Sequence, residues 1–168
     1  MHNRAQIAQT TSAQFFLRGN IMQTTTKEAE MLESLYKNVK MGSDSTIKLL
    51  DKVDGSDLKT ALTKQIDGYE KIAERIKKHL SSMGHTAKEE NPMVKMWSNI
   101  GMSMSTLTDS SDSHIAQLIA EGSSMGITDS IKLLRDYENT SVSEEALAFA
   151  REIIKFEEHN LEVAKSFI

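Results

Sequence analysis

The chain has no cysteine, a single proline (Pro92), few aromatics and no long uncharged apolar run. Without cysteine there is no disulfide, no thiol nucleophile and no thiolate metal ligand, which points to a reducing, cytoplasmic setting. Without an apolar run of ~18 residues there is no candidate membrane span. With aromatics at 5% and hydrophobic residues at 39%, the composition is poor in strand formers. Leu, Ile, Ala, Met, Lys and Glu dominate instead, and they favour helix. The net charge of −4 comes from 24 acids and 20 bases mixed along the chain, so no basic face for nucleic acid stands out. A chain of 168 residues is most simply one domain.

The longest acid-free stretch is at the N-terminus. MHNRAQIAQTTSAQFFLRGNIMQTTT, residues 1–26, contains no acid. Its compact apolar cluster, Phe15, Phe16 and Leu17, is shorter than a signal-peptide core. Residues 1–24 therefore read as a flexible arm or an upstream extension with translation starting at Met22, and residues 25–168 as the folded unit.

A turn of about 100° per residue lays out that unit. The first helix is expected from about Lys27 to Val53, with Thr25 and Glu28 as a capping box. The second is expected from about Asp57 to Met83, capped by Ser56 and stopped by Gly84. Asn91-Pro92 restarts a shorter helix, MVKMWSNIGMSMSTL, whose Met stripe reads as core filler. The third long helix covers about Asp112 to Tyr137. The last, capped by Ser141 with Glu144, runs from about Val142 to Phe167. Long helices joined by a tight turn, a long crossover and a second tight turn describe an all-α four-helix bundle whose crossover carries an extra short helix.

Residues 27–168 resemble an uncharacterised bacterial branch of the ferritin-like superfamily. The resemblance rests on YKNVKMGSDSTIKLL, MWSNIGMSMSTL, SHIAQLIAEGSSMGITDSIKLL and FEEHNLEVAKSFI. It implies the ferritin-like fold and carries over no settled activity.

Di-iron bundles take a Glu from each of two helices and a Glu-x-x-His from each of the other two. KFEEHNLEVAK, residues 155–165, has the look of such a ligand helix. Helical phase breaks the pattern. Ala150, Ile153, Ile154, Leu161, Ala164 and Ile168 define the inward stripe with Glu157 at its centre, while His159 lies about 200° away. Asn160 stands where the ligand histidine would be, three residues after Glu157. The second helix offers Gln65 and Tyr69 inward, with Glu70 and Glu74 outward. The first offers Gly42, Ser43 and Thr46, and the third Gly122. Asp109, Asp112 and His114 could suggest a ligand loop, but they read as helix capping by Asp and Ser beside a partly exposed histidine. Glu157, Asn160, Gln65, Tyr69, Ser43 and Thr46 are thus expected to form a buried polar cluster rather than a metal site.

Two further features stand out. The apolar stripe of the third helix shifts by a residue across IAEGSSMGITDSI, so Gly122, Ser123, Ser124 and Gly126 are the expected site of a π-bulge or kink. Phe149, Phe156 and Phe167 form a side stripe suited to a homodimer interface. The function expected is a non-catalytic bundle with a degenerate di-iron site and no cofactor, acting as a structural or protein-interaction module that self-associates. The alternative is an iron- or manganese-dependent oxidase or iron-handling protein with an irregular ligand set around Glu157.

Overall fold

The computed structural model describes residues 3–87 and 111–168, with side chains from residue 25 onward. Helix α1 covers Asn3–Leu50, α2 Ser56–Ser82, α3 Asp112–Tyr137 and α4 Glu144–Lys165. The expected short helix over MVKMWSNIGMSMSTL and the acid Asp109 lie outside the described residues. So do the side chains of Phe15 and Phe16.

Hydrogen bonds at the two ends fix the topology. Glu28 of α1 meets His79 near the end of α2 and Ser143 at the start of α4. At the opposite end the Gly55 amide donates to Asp112, and the Ser113 hydroxyl to the Ile168 carbonyl. Helices α1 and α4 therefore run in one direction, and α2 and α3 in the other. The end of α2 and the start of α3 therefore lie at opposite ends of the bundle, roughly 40 Å apart for a helix of α2's length. The hairpins α1–α2 and α3–α4, arranged in these directions, make the ferritin-like four-helix bundle.

Local chemistry explains the boundaries. Gly84 ends α2 with φ of 79°, a left-handed conformation that glycine adopts without strain. There the His85 amide donates to the Leu80 carbonyl at 2.9 Å and the Gly84 amide to that of Ser81 at 3.0 Å, which is the Schellman pattern. Ser111 caps α3, accepting from the His114 amide. Three expected boundaries are corrected. Helix α2 is preceded by Gly55 as its cap rather than Ser56. Helix α4 is capped by Ser143, which accepts from the Ala146 amide, and not by Ser141. Helix α1 runs through Thr25 without starting there, so Glu28 is not the third residue of a capping box. Its carboxylate reaches across the bundle to the first turn of α4.

The core is divided in two. Met31, Leu32, Leu35, Val39, Ile76, Leu80 and Ile153 belong to one apolar cluster. Leu49, Val53, Leu58, Leu62, Ile115 and Ile119 belong to the other, at the end where α1 turns into α2. Phe149 is 4% exposed and lies in the first cluster, with Phe156 packed against it; Phe167 packs against the second. Phe149 thus serves the chain's own core, while Phe156 and Phe167, expected with it as a dimer stripe, are only partly buried. At the C-terminus, Ile168 is 62% exposed rather than inward. Helix α4 ends at Lys165, and the stripe loses its phase there.

Candidate functional site

Between the two apolar clusters lies a layer of polar and small residues. Ser43, Thr46, Gln65, Ser123, Ser130, Glu157 and Asn160 are all buried. Glu157 reaches Tyr69, whose hydroxyl donates to Glu157 Oε1 at 2.7 Å and accepts from Gln65 Nε2 at 3.3 Å. The Tyr69 ring stands edge-on to Phe156, centroids 5.0 Å apart, which fixes the phenol against the carboxylate. Burial pushes the Glu157 carboxyl above its ordinary range. The Tyr69 hydroxyl, with Ser123 and Asn160 nearby, pulls it back only in part. Burial, and then the facing Glu157 charge, holds the Tyr69 phenol well above its own range.

The expected cluster is only partly one network. Gln65, Tyr69 and Glu157 are bonded in a chain. Ser43 instead donates to Glu70 at 2.7 Å, where Lys40 also bonds at 2.9 Å. Burial raises the Glu70 pKa, but these two bonds outweigh it and the net shift is downward. Thr46 closes onto the Gly42 carbonyl of its own helix. Asn160 is buried, and its Nδ2 has no hydrogen-bond partner; the same holds for Glu157 Oε2 and the hydroxyls of Ser123 and Ser130. Ser123 and Asn160 thus act on the carboxyl by proximity without closing a bond to Oε2. His159 is exposed, as its helical phase requires.

The expected irregularity in α3 has a different cause. Asp112–Tyr137 is α-helical throughout, and its buried positions continue from Ile115 and Ile119 to Ser123 and Ser130. The stripe does not slip; serines occupy its inward positions where apolar residues would otherwise continue. Gly126 permits close approach, since a Cβ there would lie 2.9 Å from Glu157 Oε1, and at Gly42 one would lie 2.6 Å from Tyr69 Cζ. At Gly122 a Cβ would meet nothing within 4 Å. Gly122 and Ser123 both line a mid-bundle cavity of about 60 Å³, with Glu157, Tyr69, Gln65 and Asp129 on its other walls.

Asp129 escaped sequence reasoning because its position is exposed and lies off the inward stripe. Glu28 escaped it for another reason: the local pattern matched a cap. Its Oε2 accepts from the Ser143 amide at 2.8 Å, and its Oε1 from the Ser143 hydroxyl at 2.7 Å. Oε1 also lies 3.0 Å from His79 Nε2. Burial raises the Glu28 pKa, but the Ser143 and His79 contacts outweigh it and leave the carboxyl below its usual range.

The mid-bundle donors do not fit a di-iron centre. The layer supplies one carboxylate already bonded to a phenol, and Asn160 where a histidine would be required. Among the described residues no group of three or more His, Asp or Glu side chains is placed to hold a metal ion. No described helix is long and apolar enough to cross a membrane.

A family model described as a domain of unknown function, DUF2383, matches residues 27–136. The match covers α1 from Lys27, α2 and nearly all of α3, and stops before α4 and Glu157. No curated protein matches the chain in sequence. Among solved structures, the crystal structure of Dps92 from Deinococcus radiodurans is similar, with a TM-score of 0.68 at 14% identity. The similarity spans 86% of this chain and 87% of that one, and at such identity it is a likeness of fold.

Proposed function

The chain belongs to the DUF2383 family of domains of unknown function, and on that footing we propose that it is a non-catalytic ferritin-like module. In this reading the mid-bundle metal centre has been replaced by a hydrogen-bonded polar layer, and the protein works through association with itself or another protein in the cytoplasm. The observation that carries the reading is the surroundings of Glu157. Its partner is the Tyr69 phenol at 2.7 Å, and Gln65, Ser123 and Asn160 complete the layer in place of carboxylates and imidazoles. A hydrogen-bonded layer of this kind fixes helix register and needs no ion.

Metal analysis of the full chain produced in iron- and manganese-rich medium tests this. Well under one equivalent of either metal is expected after desalting. Near-stoichiometric metal in the wild type, lost in Glu157→Gln, would establish the oxidase or iron-handling alternative instead.

A further inference from the structure

Where α2 meets α4 the surface carries a groove of about 910 Å³. Phe156, Gly68 and the buried Ile72 give it an apolar lining. Every acid that lines it already has a cation. Glu70 pairs with Lys40 at 2.9 Å, Glu74 with Lys78 at 3.7 Å, and Glu152 with Arg75. Lys71 and Lys155 line the same groove and are exposed. Among the described residues neither has an ion-pair partner.

The register of the two helices sets these lysines against each other. A Cβ at Gly68 would lie 2.4 Å from Phe156 Cε2, and Arg75 bonds to Glu152. Because α2 and α4 run in opposite directions, those contacts bring Lys71 and Lys155 to one height on facing helices. Two ammonium groups so placed repel each other, and each offers only donors. A carboxylate between them accepts from both and relieves the repulsion. Arg75 and Lys78 also line a second hollow of about 410 Å³ with His79 and Ser82. The groove therefore continues towards the end of α2 and suits an extended segment. The closely spaced phosphates of a nucleic acid would meet Glu74 and Glu152, whereas a peptide brings N–H donors for those acids. We propose that the α2–α4 groove docks an acidic peptide segment of a partner protein, with one carboxylate between Lys71 and Lys155 and an apolar side chain on Phe156 and Gly68. The inference rests on reading the protein as an interaction module and adds the chemistry of its partner.

The test is an NMR titration of the ¹⁵N-labelled full chain with the peptide acetyl-Glu-Glu-Phe-Glu-Glu-amide. The same peptide with Lys in place of Glu, and a short single-stranded oligonucleotide, serve as controls. Expected are saturable shifts around Gly68, Lys71 and Phe156 with the acidic peptide alone, weakened when salt is raised to about 0.5 M. The double variant Lys71→Glu, Lys155→Glu should bind the acidic peptide about tenfold or more weakly, as two attractions become repulsions. It should bind the lysine peptide instead, which shows at once that its groove is folded. The proposal is overturned if wild type shows no saturable shifts, if the lysine peptide or the oligonucleotide binds it as tightly, or if the double variant keeps its affinity. Groove shifts that arise on raising the protein concentration alone would make the occupant a second copy and overturn it too. Metal analysis of the same sample keeps the two failures apart: near-stoichiometric metal overturns the non-catalytic reading, and a metal-free protein without peptide binding overturns only this inference.

Discussion

Glu28→Ala is expected to lower stability by about 2–4 kcal/mol at pH 7, although the residue lies far from the polar layer. The carboxylate accepts from the Ser143 amide and hydroxyl and also contacts His79, joining α1, the end of α2 and the start of α4. Hydrogen bonds to a charged group contribute roughly 1.5–3 kcal/mol, and a helix cap about 1. The three contacts share one group, so their sum is an upper limit. With its folded pKa lowered, Glu28 binds protons less readily folded than unfolded. Its stabilisation is therefore present above the unfolded value of ~4.3 and lost as pH falls through the folded value. Denaturant melts at pH 7 and pH 3 check both points: a large difference from wild type at the first and a smaller one at the second. Equal stability at pH 7 would mean that the link between helices is only apparent.

Gly42→Val is expected to cost about 3 kcal/mol or more. A Cβ at position 42 would sit 2.6 Å from Tyr69 Cζ and 2.8 Å from its hydroxyl. The ring cannot yield freely, because its hydroxyl holds Glu157 and its edge meets Phe156. Overpacking costs roughly 1–3 kcal/mol, and a buried group left without its partner about 1–3 more. Gly122 is the control. With open space beside it, Gly122→Ala should gain about 0.5–1 kcal/mol from helix propensity alone. Urea melts of Gly42→Ala, Gly42→Val and Gly122→Ala should therefore show opposite signs at the two positions. Stabilisation by Gly42→Ala would show that Tyr69 is not held in place.

What the sequence revealed about the site followed from helical phase. Glu157 is found by counting from Ala150, Ile153 and Ala164, and His159 is excluded by the same count, because both statements concern one rigid helix. Tyr69 and Gln65 are read the same way on α2. Contacts between helices were not legible. Glu28 fits a capping box in every local respect, yet its partner is 115 residues away. Ser43 has the right phase to join Glu157, but an exposed acid on α2, Glu70, lies within its reach. The phenylalanines line up as a surface stripe only if the neighbouring helices are ignored; α2 packs over Phe156. The apparent slip in α3 arose because an apolar stripe was counted where the structure buries serines.

Thermal melts of wild type and Glu157→Gln from pH 5 to pH 8, with and without chelator, test the metal-free polar layer most directly. The raised folded pKa means that the folded state binds the proton more tightly than the unfolded chain. Stability contributed by the protonated group is full below ~4.3 and lost as pH climbs through the folded value. Glutamine keeps the shape and removes the charge. The variant should melt at or above wild type at pH 8, lose that advantage towards pH 5, and be indifferent to chelator. A variant that melts below wild type at pH 8, with chelator erasing the difference, would make Glu157 a metal ligand and contradict the metal-free layer.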